Sequence, residues 1–282
     1  MVLLTLTWGF QQVAIKVAAP GVSTVMQSGI RSIVATVLLL FWARLRGIPL
    51  FDRDRTLGAG VAAGVLFAAE FFFIYLGLNY TAASRMVVFI YLAPIVTALG
   101  LAIFVPGEKL SARQWAGVLV SFAGVVIAFG EGFVAARGAT WLGDAMGVVA
   151  AVLWAATTVL IRATRLASAP AAKTLFYQLA VSAATLPFAS VAIGEPGVVA
   201  LTPLVIASLA FQGVVVAFAT YLAWFWLLTR YLAARLAVFS FLSPLFGVLF
   251  GVALLGEPFT PLFGLAAAAV LAGIALVNLR RR

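Results

Sequence analysis

Two short runs of polar side chains interrupt an otherwise apolar chain, and they are the first candidates for chemistry. Thr5, Trp8, Gln11, Gln12 and Lys16 recur three or four residues apart, so on a helix they form one stripe. Ala151, Trp154, Thr157, Thr158 and Arg162 form the equivalent stripe later in the chain. Such a set suits a zwitterion with a sizeable side chain: amides and hydroxyls bind its polar groups, and tryptophan faces pack its apolar part. The plainer reading is interhelical hydrogen bonding that merely holds helices together. Recurrence of the stripe, each time around an indole inside the span, favours the lining of a central cavity.

Arg31 and Glu70 are the two deeply placed charges. On adjacent antiparallel helices both fall about 13–14 Å from the same face, at 1.5 Å per residue. Equal depth predicts a buried ion pair, because either charge alone would cost about 2.5–3.5 kcal/mol. The functional alternative is a proton-coupling carboxylate at Glu70. A carboxylate held ionised by an arginine is a poor proton carrier at neutral pH, which favours uncoupled movement. Further candidates for binding are Tyr75 and Asn79, which share a helix face with Phe72 roughly opposite Glu70, and Gln212, Tyr221 and Trp224. Tyr177 and Gln178 are weaker ones.

Other chemistries lack their residues. Cysteine and histidine are both absent, which removes disulfides, thiolate nucleophiles, imidazole relays and Cys/His metal sites. There is no GxxxxGK[ST] phosphate loop, no acidic cluster suited to magnesium, and no histidine base for a serine or threonine nucleophile. A polytopic membrane enzyme is therefore disfavoured, and no metal or other cofactor is expected.

The elements that must carry these residues are membrane spans. Of 282 residues, 65% are hydrophobic and 9% charged, against about 25% charged in soluble domains. Mean hydropathy is +1.18. Loop signals divide the chain into ten apolar stretches, 1–18, 22–45, 57–79, 82–104, 112–130, 141–164, 171–193, 203–229, 232–255 and 259–279. The first is a short span and not a signal peptide, since it has neither a basic start nor a small-residue cleavage site. Fourteen of the eighteen lysines and arginines fall on the side of the N-terminus, three (Lys16, Arg85 and Arg137) on the other, and Arg31 lies between. The positive-inside rule then makes both termini cytoplasmic. The net charge of +10 reflects those loops, and no nucleic-acid partner is expected. Trp42, Trp115, Trp141 and Trp226 fall near span ends as interfacial anchors. The pairs Gly60/Gly64, Gly143/Gly147 and Gly247/Gly251 read as close helix contacts.

The chain repeats itself. Residues 8–16 align with 154–162, and residues 81–94 with 231–244, with identities at Ala83/Ala233, Arg85/Arg235, Val88/Val238, Phe89/Phe239, Leu92/Leu242 and Pro94/Pro244. Glu108 and Gly124 then match Glu257 and Gly273. Five spans per half force the second copy to enter the membrane inverted, the common plan of secondary transporters. The expected architecture is thus an all-α polytopic membrane protein, ten transmembrane helices in two inverted five-helix repeats, 1–135 and 136–282. Inversion makes Lys16 and Arg162 opposite-side equivalents, and likewise Arg85 and Arg235. These four could attract a carboxylate or form gate contacts, against the plainer option of snorkelling to headgroups. Pro94 and Pro244 sit mid-span in equivalent helices and read as hinges or static kinks.

These features resemble the drug/metabolite transporter superfamily, of the ten-span EamA type. The resemblance is carried by the Trp8…Lys16 first span, the Pro-centred fourth span followed by Pro-Gly-Glu at 106–108, and its return before Gly256-Glu257-Pro258. Within the superfamily the chain is most similar to bacterial exporters of aromatic amino acids, although Arg85 and Arg235 stand where that pattern has a small residue. The resemblance implies an inner-membrane exporter of amino acids working by alternating access. It also implies a basket of the first four spans of each half around a central cavity, with spans five and ten peripheral. The expected partners are an amino-acid substrate and the lipid bilayer, with the monomer as working unit. The rival reading is a proton-driven antiporter of cationic drugs using Glu70.

Overall fold

The computed structural model describes residues 1–81, 83–130, 141–255 and 261–279. The expected boundary between the repeats at 135/136, and with it Arg137, Glu257 and the C-terminal arginines, lies outside the described residues. Helices carry the chain: α1 Val2–Ala18, α2 Thr24–Leu45, α3 Leu57–Gly77, α4 Ala83–Ile90, α5 Ala93–Phe104, α6 Ala112–Phe129, α7 Trp141–Ala163 and α8 Ala171–Ala192. They continue as α9 Pro203–Ala210, a wide π-helical stretch Phe211–Thr220, α10 Tyr221–Leu228, α11 Ala233–Val238, a tight turn Phe239–Phe241, α12 Leu242–Leu255 and α13 Pro261–Asn278. Among the described residues eight segments are long and apolar enough to cross a membrane, and Val2–Ala18 and Leu262–Asn278 are shorter apolar helices. A helix of 21 residues, the length of α3, reaches about 31 Å, the thickness of the hydrocarbon layer.

Local chemistry sets the helix ends. Ser111 and Gln114 form a reciprocal capping box at the start of α6, with the Ser111 N–H donating to Gln114 Oε1 at 2.9 Å. Thr202 caps α9, whose first residue is Pro203. The two mid-span prolines do more than kink. The helix stops at Ile90 and restarts at Ala93, so Pro94 lies in the first turn of α5, where its missing N–H costs nothing. In the second half the helix stops at Val238 and restarts at Leu242, two residues before Pro244.

Helix α6 lies along α13, α2 along α8, α3 between α7 and α8, α1 against α12, and α4 and α5 against α7. Small residues permit these approaches. A Cβ added at Gly64 would stand 2.7 Å from the Tyr177 carbonyl oxygen of α8, and one at Gly273 would stand 2.4 Å from the Gly117 carbonyl oxygen of α6. Backbone cannot yield as a flexible side chain can, so Gly64 and Gly273 are required by packing. The outer surface is apolar, with Phe41, Ile103, Phe188 and Leu204 all exposed, as lipid contact demands.

Both ends of the α2–α8 pair are clasped by acidic loop residues. Glu195, just beyond α8, accepts from the N–H groups of Val25 and Met26 at 3.3 Å, from the Thr24 hydroxyl, and from Ser190 Oγ at 2.7 Å. It thereby caps the N-terminus of α2. The loop after α2 does the reverse for α8. Lys173 is fully buried and pairs with Asp52, and with Asp54 Oδ2 at 2.8 Å. The Lys173 ammonium beside Asp54, helped by the Thr56 hydroxyl, holds that carboxyl well below the usual carboxylate range, at about 2.

Candidate functional site

A cavity of about 380 Å³ lies inside the bundle, lined from both stripes and from the helices around them. Helix α1 contributes Trp8, Gln11, Gln12, Ile15 and Lys16, and α7 contributes Trp154, Thr157, Thr158 and Ile161. Most of both stripes expected to face the interior therefore do so; Thr5 and Ala151 are fully buried outside the lining, and Arg162 also lies outside it. Thr5 instead donates its hydroxyl to the Val2 carbonyl of its own helix.

Helix α3 presents Phe67, Glu70, Phe71, Ile74, Tyr75 and Leu78 to the same space. These positions recur at three and four residues and make one face. Tyr75 thus shares the cavity with Glu70 and does not oppose it, and Phe72 is absent from the lining. Asn79 is also absent: it lies exposed in the turn after α3, with its N–H on the Leu76 carbonyl, because the helix ends before the spacing can carry it inward. From α10 come Tyr221, Trp224 and Phe225, so Trp224 belongs to the cavity and not to the interfacial belt. Gln212 does not reach it. Its amide is spent on Gln27, Nε2 to Oε1 at 3.0 Å, tying the π-helical stretch to α2. Tyr177 packs over Gly60 and meets the Thr56 hydroxyl at 3.1 Å, away from the cavity.

The aromatic wall is ordered by edge contacts. Trp8 donates its indole N–H to Thr220 Oγ1 at 2.9 Å and meets the rings of Tyr221 and Trp224 edge-on at 6.3 and 5.9 Å. Tyr221 in turn meets Phe67 at 6.0 Å. Across the cavity Trp154 meets Tyr91 at 6.3 Å. Tyr91, Ser243 and the Gln178 side chain, whose Oε1 is buried and accepts no hydrogen bond, complete the polar lining. Sequence reasoning missed Tyr91 and Ser243. Their signal was adjacency to the two helix breaks, which turn the chain inward at Pro94 and Pro244.

The expected contact pair of Arg31 and Glu70 does not form. The two lie within electrostatic reach of each other, but the Arg31 guanidinium stands 4.2 Å over the Phe71 ring, and its Nε and Nη1 make no hydrogen bond. Depth alone placed the two residues level; rotation about each helix axis then sent Arg31 to the aromatic face and Glu70 to the cavity.

The four cations proposed as gates have four different settings. Lys16 lines the cavity and is exposed to it. Arg162 closes the opposite end: it binds Glu108 Oε1 at 2.6 Å and the Leu228 carbonyl at 2.8 Å, while the Ala233 N–H donates to the same Glu108 oxygen at 3.2 Å. Glu108 is 2% exposed, and Ile161, Phe225, Leu228, Leu101 and Leu236 form an apolar layer there, with Met1 and Leu4 packed against the same cluster. Arg85 makes a two-pronged contact with Asp144, which also accepts from Thr81 Oγ1 at 2.8 Å. Arg235 is exposed at the start of α11, the setting of a snorkelling residue. Pro244 lines the cavity, whereas Pro94 is buried behind it. Among the described residues no group of three or more Asp or Glu side chains could hold a metal ion.

Comparison with known proteins gives this geometry a family. Over 270 residues the chain is 29% identical to an uncharacterized transporter of Archaeoglobus fulgidus, covering 91% of this chain and 88% of the relative. A probable amino-acid metabolite efflux pump of Escherichia coli K12 is 25% identical over 280 residues, 96% of this chain and 91% of the relative. A solved crystal structure superposes with a TM-score of 0.84 at 20% identity, covering 98% of this chain and 93% of that one, which fixes the fold alone. The EamA-like transporter family matches residues 1–130 and 141–279. This chain, a helical bundle around a largely apolar, aromatic-walled cavity with a few polar groups, is matched over nearly its whole length and belongs to the EamA-like transporter family.

Proposed function

We propose that this chain exports amino acids, aromatic ones included, across a bacterial inner membrane by alternating access, as a monomer with both termini in the cytoplasm. One observation carries the reading: a cavity of about 380 Å³, apolar and aromatic on its walls, with amides, hydroxyls and two charged groups among its lining side chains. The name of the Escherichia coli relative, a probable amino-acid metabolite efflux pump, supports the substrate class.

The mechanism rests on ten spans in two inverted repeats, 1–135 and 136–282. Packing supports the correspondence. Exchanging each span for its equivalent maps the contacts onto one another: α1 with α12 becomes α7 with α4 and α5, α3 with α7 becomes the π-helical span with α1, and α3 with α8 becomes that span with α2. The α2–α8 and α6–α13 pairs map onto themselves, as elements on a pseudo-twofold axis should. In the described conformation the end nearest Met1 is sealed by Arg162, Glu108 and the apolar layer, and the lining at the other end includes Lys16, Leu78 and Met86. By the positive-inside rule this is an outward-facing state.

Counterflow in proteoliposomes with a panel of amino acids tests the assignment. Exchange of labelled phenylalanine or tryptophan without a pH gradient is expected. Exchange of a lipophilic cation and of no amino acid would replace the reading with the rival, a proton-driven exporter of cationic drugs. That rival draws support from one observation: Glu70 faces the cavity and is not in contact with Arg31. It predicts that Glu70→Gln abolishes gradient-driven transport.

A further inference from the structure

Glu70 is the one carboxylate among the described residues that line the cavity. It is 7% exposed, and among the described residues no hydrogen bond or ion-pair contact occupies its oxygens. That is an unusual position for an acid inside a membrane, where a charge is normally consumed by a partner. Contrast Glu108 and Asp144 of the same bundle, both buried and both paired with an arginine.

The nearby cation is held back from it. Arg31 is 1% exposed and spends its flat face on the Phe71 ring. Its charge offsets part of the cost of burying Glu70 while leaving the carboxylate oxygens open toward the cavity. The surroundings suit a cation with an apolar body. Phe67, Phe71 and Tyr75 share the cavity face of α3 with Glu70, and Trp8 joins that wall through Tyr221. Aromatic faces within about 6 Å attract an ammonium, most strongly where water is thin.

We propose that Glu70 is the ammonium-recognition residue of this cavity, so that its substrates are primary amines, zwitterionic or cationic, carrying an aromatic or large apolar group. The proposal rests on the reading of the cavity as the transport site and deepens it. In that arrangement the Glu70 carboxylate accepts the ammonium N–H groups, and Gln11, Gln12 and the Tyr75 hydroxyl, all in the lining, face the remaining polar atoms. The amine is the discriminating feature: an analogue without it would leave Glu70 buried and unpaired, a costly state.

The test uses the full chain in detergent and three probes of one shape: phenethylamine, L-phenylalanine and 3-phenylpropionate. Trp8, Trp154 and Trp224 line the cavity, so quenching of intrinsic fluorescence reports occupancy. Phenethylamine and phenylalanine are expected to bind at least about tenfold more tightly than 3-phenylpropionate. Glu70→Gln should weaken the two amines by about 10- to 100-fold and leave 3-phenylpropionate bound as tightly as before or more tightly. Glu70→Asp, which keeps the charge and withdraws it by one methylene, should fall between and guards against a folding artefact in the amide variant. Amines that bind the native chain no better than 3-phenylpropionate would overturn the proposal. So would amine affinities that Glu70→Gln leaves within about twofold, including the case where it removes only a pH-gradient dependence and so acts as a proton carrier. Glu70-dependent binding of phenethylamine together with no binding of phenylalanine would uphold this proposal and end the amino-acid assignment instead.

Discussion

Trp8 and Trp154, equivalent in the proposed repeat, are held differently. Trp8 is fixed by a hydrogen bond to Thr220 and by the edges of Tyr221 and Trp224, whereas Trp154 meets the single ring of Tyr91. Both indoles are partly open to the cavity. Truncation therefore removes substrate contact more than core packing, and an aromatic pair is worth about 0.5–1.5 kcal/mol beyond area. Trp8→Ala and Trp154→Ala should each lower phenylalanine counterflow about tenfold while the protein still elutes as a folded species. Wild-type rates in both would remove the aromatic wall from the account. The two stripes and both tryptophans could be named from spacing alone, because a polar residue on a membrane helix has few places to face. Asn79 could not be placed that way, since one residue past a helix end the spacing no longer holds. Nor could the partner of Arg162 be read from spacing, because Glu108 comes from a loop far along the chain.

At the scale of elements, the α2–α8 pair is the best-anchored part of the bundle. Each helix begins under an acidic residue from the loop following the other: Glu195 over Thr24, Val25 and Met26, and Asp52 and Asp54 on Lys173. In the proposed mechanism these clasps make the pair a fixed axis about which the other helices move. Lys173→Met should lower the melting temperature by about 3–8 °C, since it strips a fully buried cation from two carboxylates that folded around it. The pH dependence follows from Asp54, whose folded carboxyl is depressed to about 2 from an ordinary 3.8. Its stabilisation is complete above the ordinary value and is lost as pH falls through the folded one. The native chain should therefore lose more stability between pH 4 and pH 2 than Asp54→Asn does, as read by melting temperature in detergent; equal losses would contradict the clasp. Helix positions were legible because apolar runs of span length leave little choice of structure. Two features were not. The prolines end their helices outright instead of bending them, which depends on the turns Tyr91–Leu92 and Phe239–Phe241 being stabilised by packing. The π-helical stretch Phe211–Thr220 carries no sequence mark at all, since a wide turn is chosen by neighbouring helices.

For the whole molecule, the claim is that one cavity serves both sides of the membrane in turn. In the proposed inverted-repeat arrangement, contacts that seal one end would have counterparts at the other, so that two conformations of similar energy are open to one sequence. The residue matches behind that arrangement, such as Trp8/Trp154 and Pro94/Pro244, were visible. Which end is shut was not, because it depends on contacts such as Arg162 with Glu108 whose strength no spacing reveals. Sidedness also shows in chemistry: the cavity holds Gln12 exposed in the middle of α1, and the chain has no native cysteine. The most direct measurement is therefore the labelling of a Gln12→Cys variant by a membrane-impermeant maleimide, applied separately to right-side-out and inside-out vesicles, with and without saturating phenylalanine. The account predicts reaction from the side opposite Met1 in the resting protein, reaction from the Met1 side as well once Glu108→Gln weakens the seal, and slowing of both by substrate. Labelling from one side alone under every condition, or at rates that substrate and Glu108→Gln leave unchanged, would contradict it.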